Sequence, residues 1–184
     1  MDEELSASVK TGDPIPNEDR VLRIVLASER DRKDCQIPAL RCFSLSPADN
    51  GKLSVDWEKM TSPEKTIARV GASYKLKKEE YKSYKDREIY ALDISFLCSF
   101  TNVDKVVYDP IYYSNPIKGR VNNPAHSLVK FNEALTPYND PEFIMKIRDH
   151  AASRKIPVDM EKVHVLVEKL RRSSLDHKFI GFCL

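Results

Sequence analysis

Short stretches of this chain alternate between apolar and polar side chains, and such alternation is typical of β-strands with one buried face. In the clearest stretch Leu53, Val55 and Trp57 share one face, and Ser54 and Asp56 share the other. We therefore expect Trp57 to lie in the core. The other stretches that favour strands span residues 21–26, 37–45, 89–96, 105–108 and 126–131.

Capping residues mark the start of three predicted helices. Ser62, Asp140 and Asp159 each stand two residues before a glutamate and are followed by apolar side chains at helical spacing. The last two of these helices are separated by Pro157, which breaks the helical pattern between them. This arrangement predicts a helical hairpin in the last third of the chain.

Two further segments carry local signals. The sequence Asp49-Asn50-Gly51 favours a tight turn, so the predicted strands at 37–45 and 53–57 are expected to form a hairpin. Residues 73–88 are charged and rich in tyrosine, and their oppositely charged side chains recur four positions apart. That spacing is typical of a solvent-exposed helix.

The predicted elements indicate an α+β fold, with a mainly antiparallel sheet, helices packed on one side of it and a C-terminal helical hairpin. The 184 residues suit one domain with an appendage. We expect a disordered leader at 1–14, an α+β domain at 15–135, and the helical hairpin with an apolar tail at 136–184.

Composition narrows the classes of function. The net charge of +2 gives no overall basic excess of the kind that nucleic-acid-binding domains show. No apolar run approaches the roughly 20 residues that span a bilayer, so we expect a cytoplasmic protein with no membrane contact. The four cysteines lack the close spacing of a zinc site and are expected to be free thiols. We predict no metal and no cofactor, because glycine-rich phosphate-binding motifs are also missing from the sequence.

His126 is the main catalytic candidate, since it follows a long loop and begins a predicted strand. An imidazole there suits proton transfer, with Asp56 and Arg23 as the candidate assisting residues and Ser54 and Asp109 as further partners. The alternative is that its ring nitrogens bind loop carbonyls and only hold the loop. A serine hydrolase is disfavoured, because Ser54 falls in mid-strand without a glycine-flanked turn.

Basic and aromatic residues alternate in 74–88, as they do in some nucleic-acid contacts. The candidate contacts are Lys77, Lys78 and Lys82. The alternative is a solvated helix with its tyrosines on a buried seam. Nucleic acid is therefore an alternative partner to the predicted protein partner.

Three short blocks resemble a family of short, mostly bacterial proteins. They are Ile15-Pro16 with Leu22-Arg23, then Leu53-Ser54-Val55-Asp56-Trp57, and finally Pro124-Ala125-His126. In that family the corresponding blocks read Ile-Pro…Leu-Arg, Leu-Ser-Val-(Asn/Asp)-Trp and Pro-(Ser/Ala)-His. The resemblance covers roughly residues 15–131 and implies no particular reaction.

The first functional expectation is a non-enzymatic interaction module, a small subunit that docks into a larger bacterial assembly. Its predicted protein-binding residues are the four large apolar side chains of the C-terminal tail, Phe179, Ile180, Phe182 and Leu184. One alternative is a hydrolase, nuclease or group-transfer enzyme centred on His126. The other is nucleic-acid binding through residues 74–88. The enzyme requires His126, Asp56 and Arg23 to lie together in one cleft, and it is contradicted if they are separated or if His126 is buried against carbonyl oxygens.

Overall fold

The structure is a computed structural model that describes residues 9–44, 52–75, 80–113, 121–132 and 140–176. Its strands are β1 (Arg20–Leu26), β2 (Lys52–Trp57), β3 (Tyr74–Lys75), β4 (Glu80–Tyr81), β5 (Arg87–Asp93), β6 (Val103–Tyr108), β7 (His126–Phe131) and β8 (Lys155–Ile156). Its helices are α1 (Pro63–Ala72), α2 (Ile94–Cys98), α3 (Pro141–Ala152) and α4 (Met160–Asp176), with 3₁₀ turns at Leu40–Cys42 and Glu58–Met60.

Six strands form one antiparallel sheet in the order β6-β7-β2-β1-β5-β8. This confirms the α+β class and the mainly antiparallel sheet. The sheet includes β8, which lies between α3 and α4 in the chain, so the described C-terminal residues pack with the same sheet as the preceding segment.

Helices cover both faces of the sheet, whereas the sequence predicted them on one side only. Alternate residues of β1 and β5 enter two separate apolar clusters, as period-two geometry requires. Side chains of α2 and α3, including Leu97 and Ile147, pack in the first cluster. Side chains of α1 and α4, including Ile67 and Val167, pack in the second. The consecutive helices α3 and α4 thus lie on opposite faces, because β8 at the sheet edge connects them.

The capping signals are confirmed. The hydroxyl of Ser62 accepts a hydrogen bond from the Lys65 amide at 3.2 Å, and the carboxylate of Asp140 accepts one from the Phe143 amide at 3.0 Å. The Asp159 carboxylate accepts two amide hydrogen bonds in the first turn of α4. These contacts satisfy amides that have no partner within the helix, which explains why each helix begins where it does.

Three local expectations differ from the structure. Residues 37–44 contain a 3₁₀ turn where the sequence predicted a strand over 37–45. The strand β2 pairs with β1 and β7 in place of the predicted hairpin partner. Residue 45 and the turn at 49–51 lie outside the described residues. Residues 74–75 and 80–81 form a two-stranded ribbon in place of a helix. Residues 12–15, part of which was expected to belong to a disordered leader, exchange backbone hydrogen bonds with β6.

Candidate active site

An open cavity of about 270 Å³ lies on the sheet face that α1 and α4 partly cover. These helices pack over β1 and β5, and next to them β2 and β7 turn their polar side chains toward the same face. Arg23, Asp56 and His126, the three catalytic candidates from the sequence, all line this cavity, and so does Lys82. The remaining lining residues used below are Ser54, Thr66, Arg69, Val121 and Asn123.

His126 lies directly opposite Asp56 in the β2–β7 pairing, with 9% of its surface exposed. Its Nδ1 is 2.7 Å from the backbone carbonyl oxygen of Asp109 and 3.5 Å from the Asp109 carboxylate. A carbonyl oxygen can only accept, so Nδ1 carries the proton in the neutral ring. The lone pair of Nε2 is then available to accept a proton from another group.

The group facing that lone pair is Ser54. Its Oγ lies 3.3 Å from His126 Nε2, and the serine is exposed to the cavity. With Nδ1 protonated, the serine hydroxyl donates to Nε2. The hydroxyl, the imidazole and the Asp109 carboxylate therefore follow one another in the order found in activated serine nucleophiles.

Asp56 holds the wall of the cavity in place. One of its carboxylate oxygens accepts from Arg69 Nη2 at 2.5 Å, and the other accepts from Asn123 Nδ2 at 2.7 Å. The side chain is 8% exposed. Because both oxygens are engaged by donors, Asp56 is suited to positioning Arg69 and the loop before β7 rather than to removing a proton.

Among the described residues, the Arg69 guanidinium makes its hydrogen bonds through one nitrogen, Nη2, which binds Asp56. Its Nη2 also donates to Thr61 and Thr66, at 3.2 and 3.0 Å. Within the described part of the chain, its buried Nε has no hydrogen-bond partner. An unsatisfied buried donor costs about 1–3 kcal/mol, and such groups in native structures call for an explanation. The Nε atom itself is buried, so a ligand in the open cavity does not reach it.

Arg23 fixes the backbone at the serine. The β1–β2 pairing covers Val21 and Leu22 only, and beyond it Arg23 Nη1 donates to the carbonyl oxygen of Ser54 at 2.8 Å. Its Nε donates to the carbonyl oxygen of Cys42 at 3.1 Å. Arg23 thus bridges the gap where the two strands separate, and it holds the backbone of Ser54 in position.

Cys42 is unsuited to act as a nucleophile at this site. Burial, together with a hydrogen bond from its thiol to the Glu29 carboxylate, raises the pKa of Cys42 to about 11. The reactive form of a cysteine is the thiolate, so at neutral pH this side chain remains inert.

Positive charge predominates around the cavity. Lys82 lines it together with the ion pair of Arg69 and Asp56, whereas the Arg23 guanidinium is bound to the carbonyl oxygens of Ser54 and Cys42. Among the described residues the Lys82 ammonium makes no ion pair, whereas the charges of Arg69 and Asp56 offset each other. The cavity therefore favours a ligand that carries, or develops, negative charge.

Sequence reasoning named most of this constellation but missed Arg69 and Asn123. Neither follows a recognisable spacing, because Arg69 reaches Asp56 from the helix that follows β2, and Asn123 reaches it from the loop before β7. The other predicted binding residues, Lys77, Lys78, Phe179, Ile180, Phe182 and Leu184, lie outside the described residues.

Within the described residues, no group of three or more His, Cys, Asp or Glu side chains is placed to hold a metal ion. No helix in the same residues has the length and apolar character needed to cross a membrane. Comparisons of the chain with protein-family models, with curated proteins and with solved structures find no match.

Proposed function

We propose that this protein is a hydrolase of carboxylic esters, with Ser54 as the nucleophile and His126 as the general base. One observation carries the proposal. The exposed Ser54 hydroxyl lies 3.3 Å from a ring nitrogen whose partner nitrogen is committed as a donor to Asp109. A nucleophile within hydrogen-bond reach of an oriented base is the general signature of covalent catalysis.

The proposed reaction has two steps, acylation of Ser54 and hydrolysis of the acyl group. Ser54 Oγ attacks the ester carbonyl carbon while His126 Nε2 takes the hydroxyl proton, and the bond to the alcohol breaks as the alcohol leaves with that proton. Water then attacks the acyl group on Ser54, gives a proton to Nε2, and releases the carboxylic acid as the serine regains its proton. The nearby Asp109 carboxylate stabilises the imidazolium that forms in each step.

Positive charge on the cavity wall supports both steps. The carbonyl oxygen becomes negatively charged in each tetrahedral intermediate, and groups already oriented toward that charge lower the barrier most. Lys82 is the exposed cation of the cavity lining that can supply such a charge, whereas the charge of Arg69 is offset by Asp56.

The mid-strand position of Ser54 is the argument against a serine hydrolase that the sequence raised. In most such enzymes a sharp turn exposes the serine. Here the partial cover of the sheet face exposes Ser54, and the Arg23 contact to its carbonyl keeps that part of β2 in position. The exposure that a turn usually provides is thus available on a strand.

Hydrolysis of p-nitrophenyl acetate by the purified full chain tests the proposal. We expect Ser54→Ala and His126→Ala each to lower kcat/KM by about 100-fold or more, as the loss of a nucleophile or general base does. Ser95→Ala replaces another exposed serine, in α2, and serves as the matched control with unchanged activity.

A fluorophosphonate probe gives a second readout, because it labels an activated serine covalently. Mass spectrometry is expected to locate the adduct on Ser54 and to find none in the His126→Ala protein. Hydrolysis that survives Ser54→Ala, or labelling at another serine, would overturn the assignment.

Docking of the chain into a larger assembly is a second proposal, supported by the four large apolar side chains in the last six residues of the sequence. It is compatible with an enzyme, since a catalytic subunit can also dock. The nucleic-acid contact stays a prediction, and of its three lysines Lys82 is the one within the described residues, where it lines the cavity.

A further inference from the structure

A second cavity, of about 300 Å³, adjoins the candidate active site. We name it the apolar cavity, and it lies between α1, α4 and the residues that lead into β7. Its lining is mainly apolar, with Lys65 and Lys169 as the exposed charged residues, and it includes Ala68, Val121, Pro124, Leu166 and Leu170. The two cavities share Arg69 and Val121, so they meet at these two side chains.

We propose that the apolar cavity receives the aliphatic acyl chain of an ester whose carbonyl group lies at Ser54. The inference rests on the proposed hydrolase and specifies its substrate class, medium-chain acyl esters. Leu166 and Leu170 are only partly buried against the second apolar cluster, so a ligand can still cover their remaining surface. Each methylene removed from water there strengthens binding roughly fourfold.

Arg69 lies where the polar first cavity meets the apolar cavity, so it separates the surroundings of the ester group from those of the acyl chain. Its guanidinium is bound to Asp56 on the side of the first cavity, while its aliphatic stem leads back to α1 beside Ala68. The charged end of a long side chain commonly stays in polar surroundings while its methylenes cover apolar ones. An acyl chain passing Arg69 therefore leaves the charge near the reacting carbonyl and meets an apolar surface beyond it.

Chain-length preference tests this inference in the full chain. We expect kcat/KM for p-nitrophenyl octanoate to exceed that for p-nitrophenyl acetate by about tenfold or more, since several methylenes become buried. Leu166→Trp, which fills the apolar cavity, is expected to abolish this preference, so that the two esters are hydrolysed with similar kcat/KM. Val165→Trp is the matched control, because Val165 is the neighbouring residue of the same helix and is 67% exposed.

Leu170→Trp is a second variant that fills the apolar cavity, and it is used if Leu166→Trp unfolds the protein. It is also expected to abolish the preference for octanoate. Equal rates for the two esters, or a preference that survives both filling variants, would overturn the apolar cavity as the acyl site while leaving the hydrolase in place.

Direct binding separates the failure of this inference from a failure of the hydrolase. Calorimetric titration with octanoate is expected to show binding to the wild type and to Ser54→Ala, and loss of binding in Leu166→Trp. Octanoate binding with no hydrolysis of either ester would contradict the proposed hydrolase while supporting the apolar cavity as a binding site for aliphatic chains. Octanoate affinity that rises on replacing Phe179 and Phe182 by serine would show that the chain's own tail occupies the cavity, which overturns the inference.

Discussion

At the residue scale, Trp57 links the sheet core to the segment before β1. Its ring is 3% exposed and packs edge-on against Tyr108, with the ring centroids 5.9 Å apart. Its indole N–H donates to the Asp19 carboxylate at 3.0 Å, and Lys59 pairs with the other oxygen of that carboxylate. Trp57 therefore contributes buried apolar surface and also a hydrogen bond to the buried Asp19 carboxylate, as a core tryptophan with a satisfied N–H should.

We expect Trp57→Ala to lower the free energy of unfolding by about 3–5 kcal/mol, the usual cost of emptying a buried aromatic site. Urea denaturation followed by circular dichroism measures it. Tyr112→Ala is the control, because Tyr112 is 58% exposed and its removal should change stability by less than about 0.5 kcal/mol. A near-wild-type midpoint for Trp57→Ala would contradict the role in the core.

His126 makes contacts that fit both interpretations that the sequence left open, because it is buried against a carbonyl oxygen on one side and faces Ser54 on the other. Nδ1 holds the loop through the Asp109 carbonyl, which is the structural interpretation, and Nε2 faces Ser54, which is the chemical one. The first contact prepares the second, because protonation of Nδ1 leaves Nε2 free to accept. A single histidine can thus be required for stability and for activity, and the two effects need separate measurements.

At the scale of elements, α1 approaches its neighbours closely at one glycine. A Cβ atom at Gly71 would lie 2.6 Å from Tyr84 Cδ1 and 2.8 Å from Val167 Cγ2, closer than real contacts allow. The Tyr84 ring has little freedom to move, since its hydroxyl is 2.7 Å from His164 Nδ1 on α4. Arg171 also donates to the Gly71 carbonyl oxygen at 2.8 Å. The lack of a side chain at Gly71 therefore sets the spacing between α1 and α4.

Gly71→Ala is expected to destabilise the protein by about 1–3 kcal/mol through overpacking, although alanine is the better helix former by about 1 kcal/mol. Thermal unfolding of the single variant measures the net effect. The control is the same substitution in a Tyr84→Leu background, where it should cost less because the closest atoms are gone. Stabilisation by Gly71→Ala in the wild-type background would show that the helices are not in close contact.

At the scale of the whole molecule, His150 ties α3 to the end of β5 and to α2. Its ring stacks on Phe96 with centroids 3.7 Å apart, and its Nε2 is 3.1 Å from the Asp93 carboxylate, which also pairs with Arg154. Burial, and then the charge of Arg154, lower the pKa of His150 below its usual 6.5, against an opposing effect of Asp93. The folded state thus favours the neutral ring.

This shift predicts that stability falls as the solution becomes acidic. The unfolded chain takes up a proton at His150 near pH 6.5 while the folded chain resists it, so the stabilisation is complete above pH 6.5 and declines as pH falls through the lower folded pKa. Urea midpoints at about pH 7.5 and 5.5 measure it. In His150→Phe, which keeps an aromatic stack but does not titrate, the decline should be smaller, and an identical decline would rule out His150 as its source.

The C-terminal tail is the predicted docking element of the molecule. Removing residues 179–184 is expected to leave the protein folded, because among the described residues both apolar clusters already combine side chains of the sheet with side chains of the helices. Circular dichroism and the Tm test the fold, and co-purification of the tagged chain from its host tests the loss of its complex. Unfolding on deletion would instead make the tail part of the core.

The sequence by itself determined the features that depend on neighbouring residues. Alternation at residues 53–57 and 126–131 placed two strands and oriented Trp57 and Ser54 to opposite faces, because successive side chains of a strand must point apart. Ser62, Asp140 and Asp159 marked helix starts correctly, because each cap bonds an amide only two or three residues away.

Only the tertiary structure decided which elements meet. Residues 73–88 carry the charge spacing of a helix, yet Tyr74 and Tyr81 pair across a ribbon with ring centroids 5.2 Å apart, and Arg171 of α4 lies over Tyr81. The candidate site depends in the same way on Arg69 reaching Asp56 from α1 and on β2 lying beside β7. The free energy of these contacts comes from burial and pairing that exist only once the sheet and helices have packed.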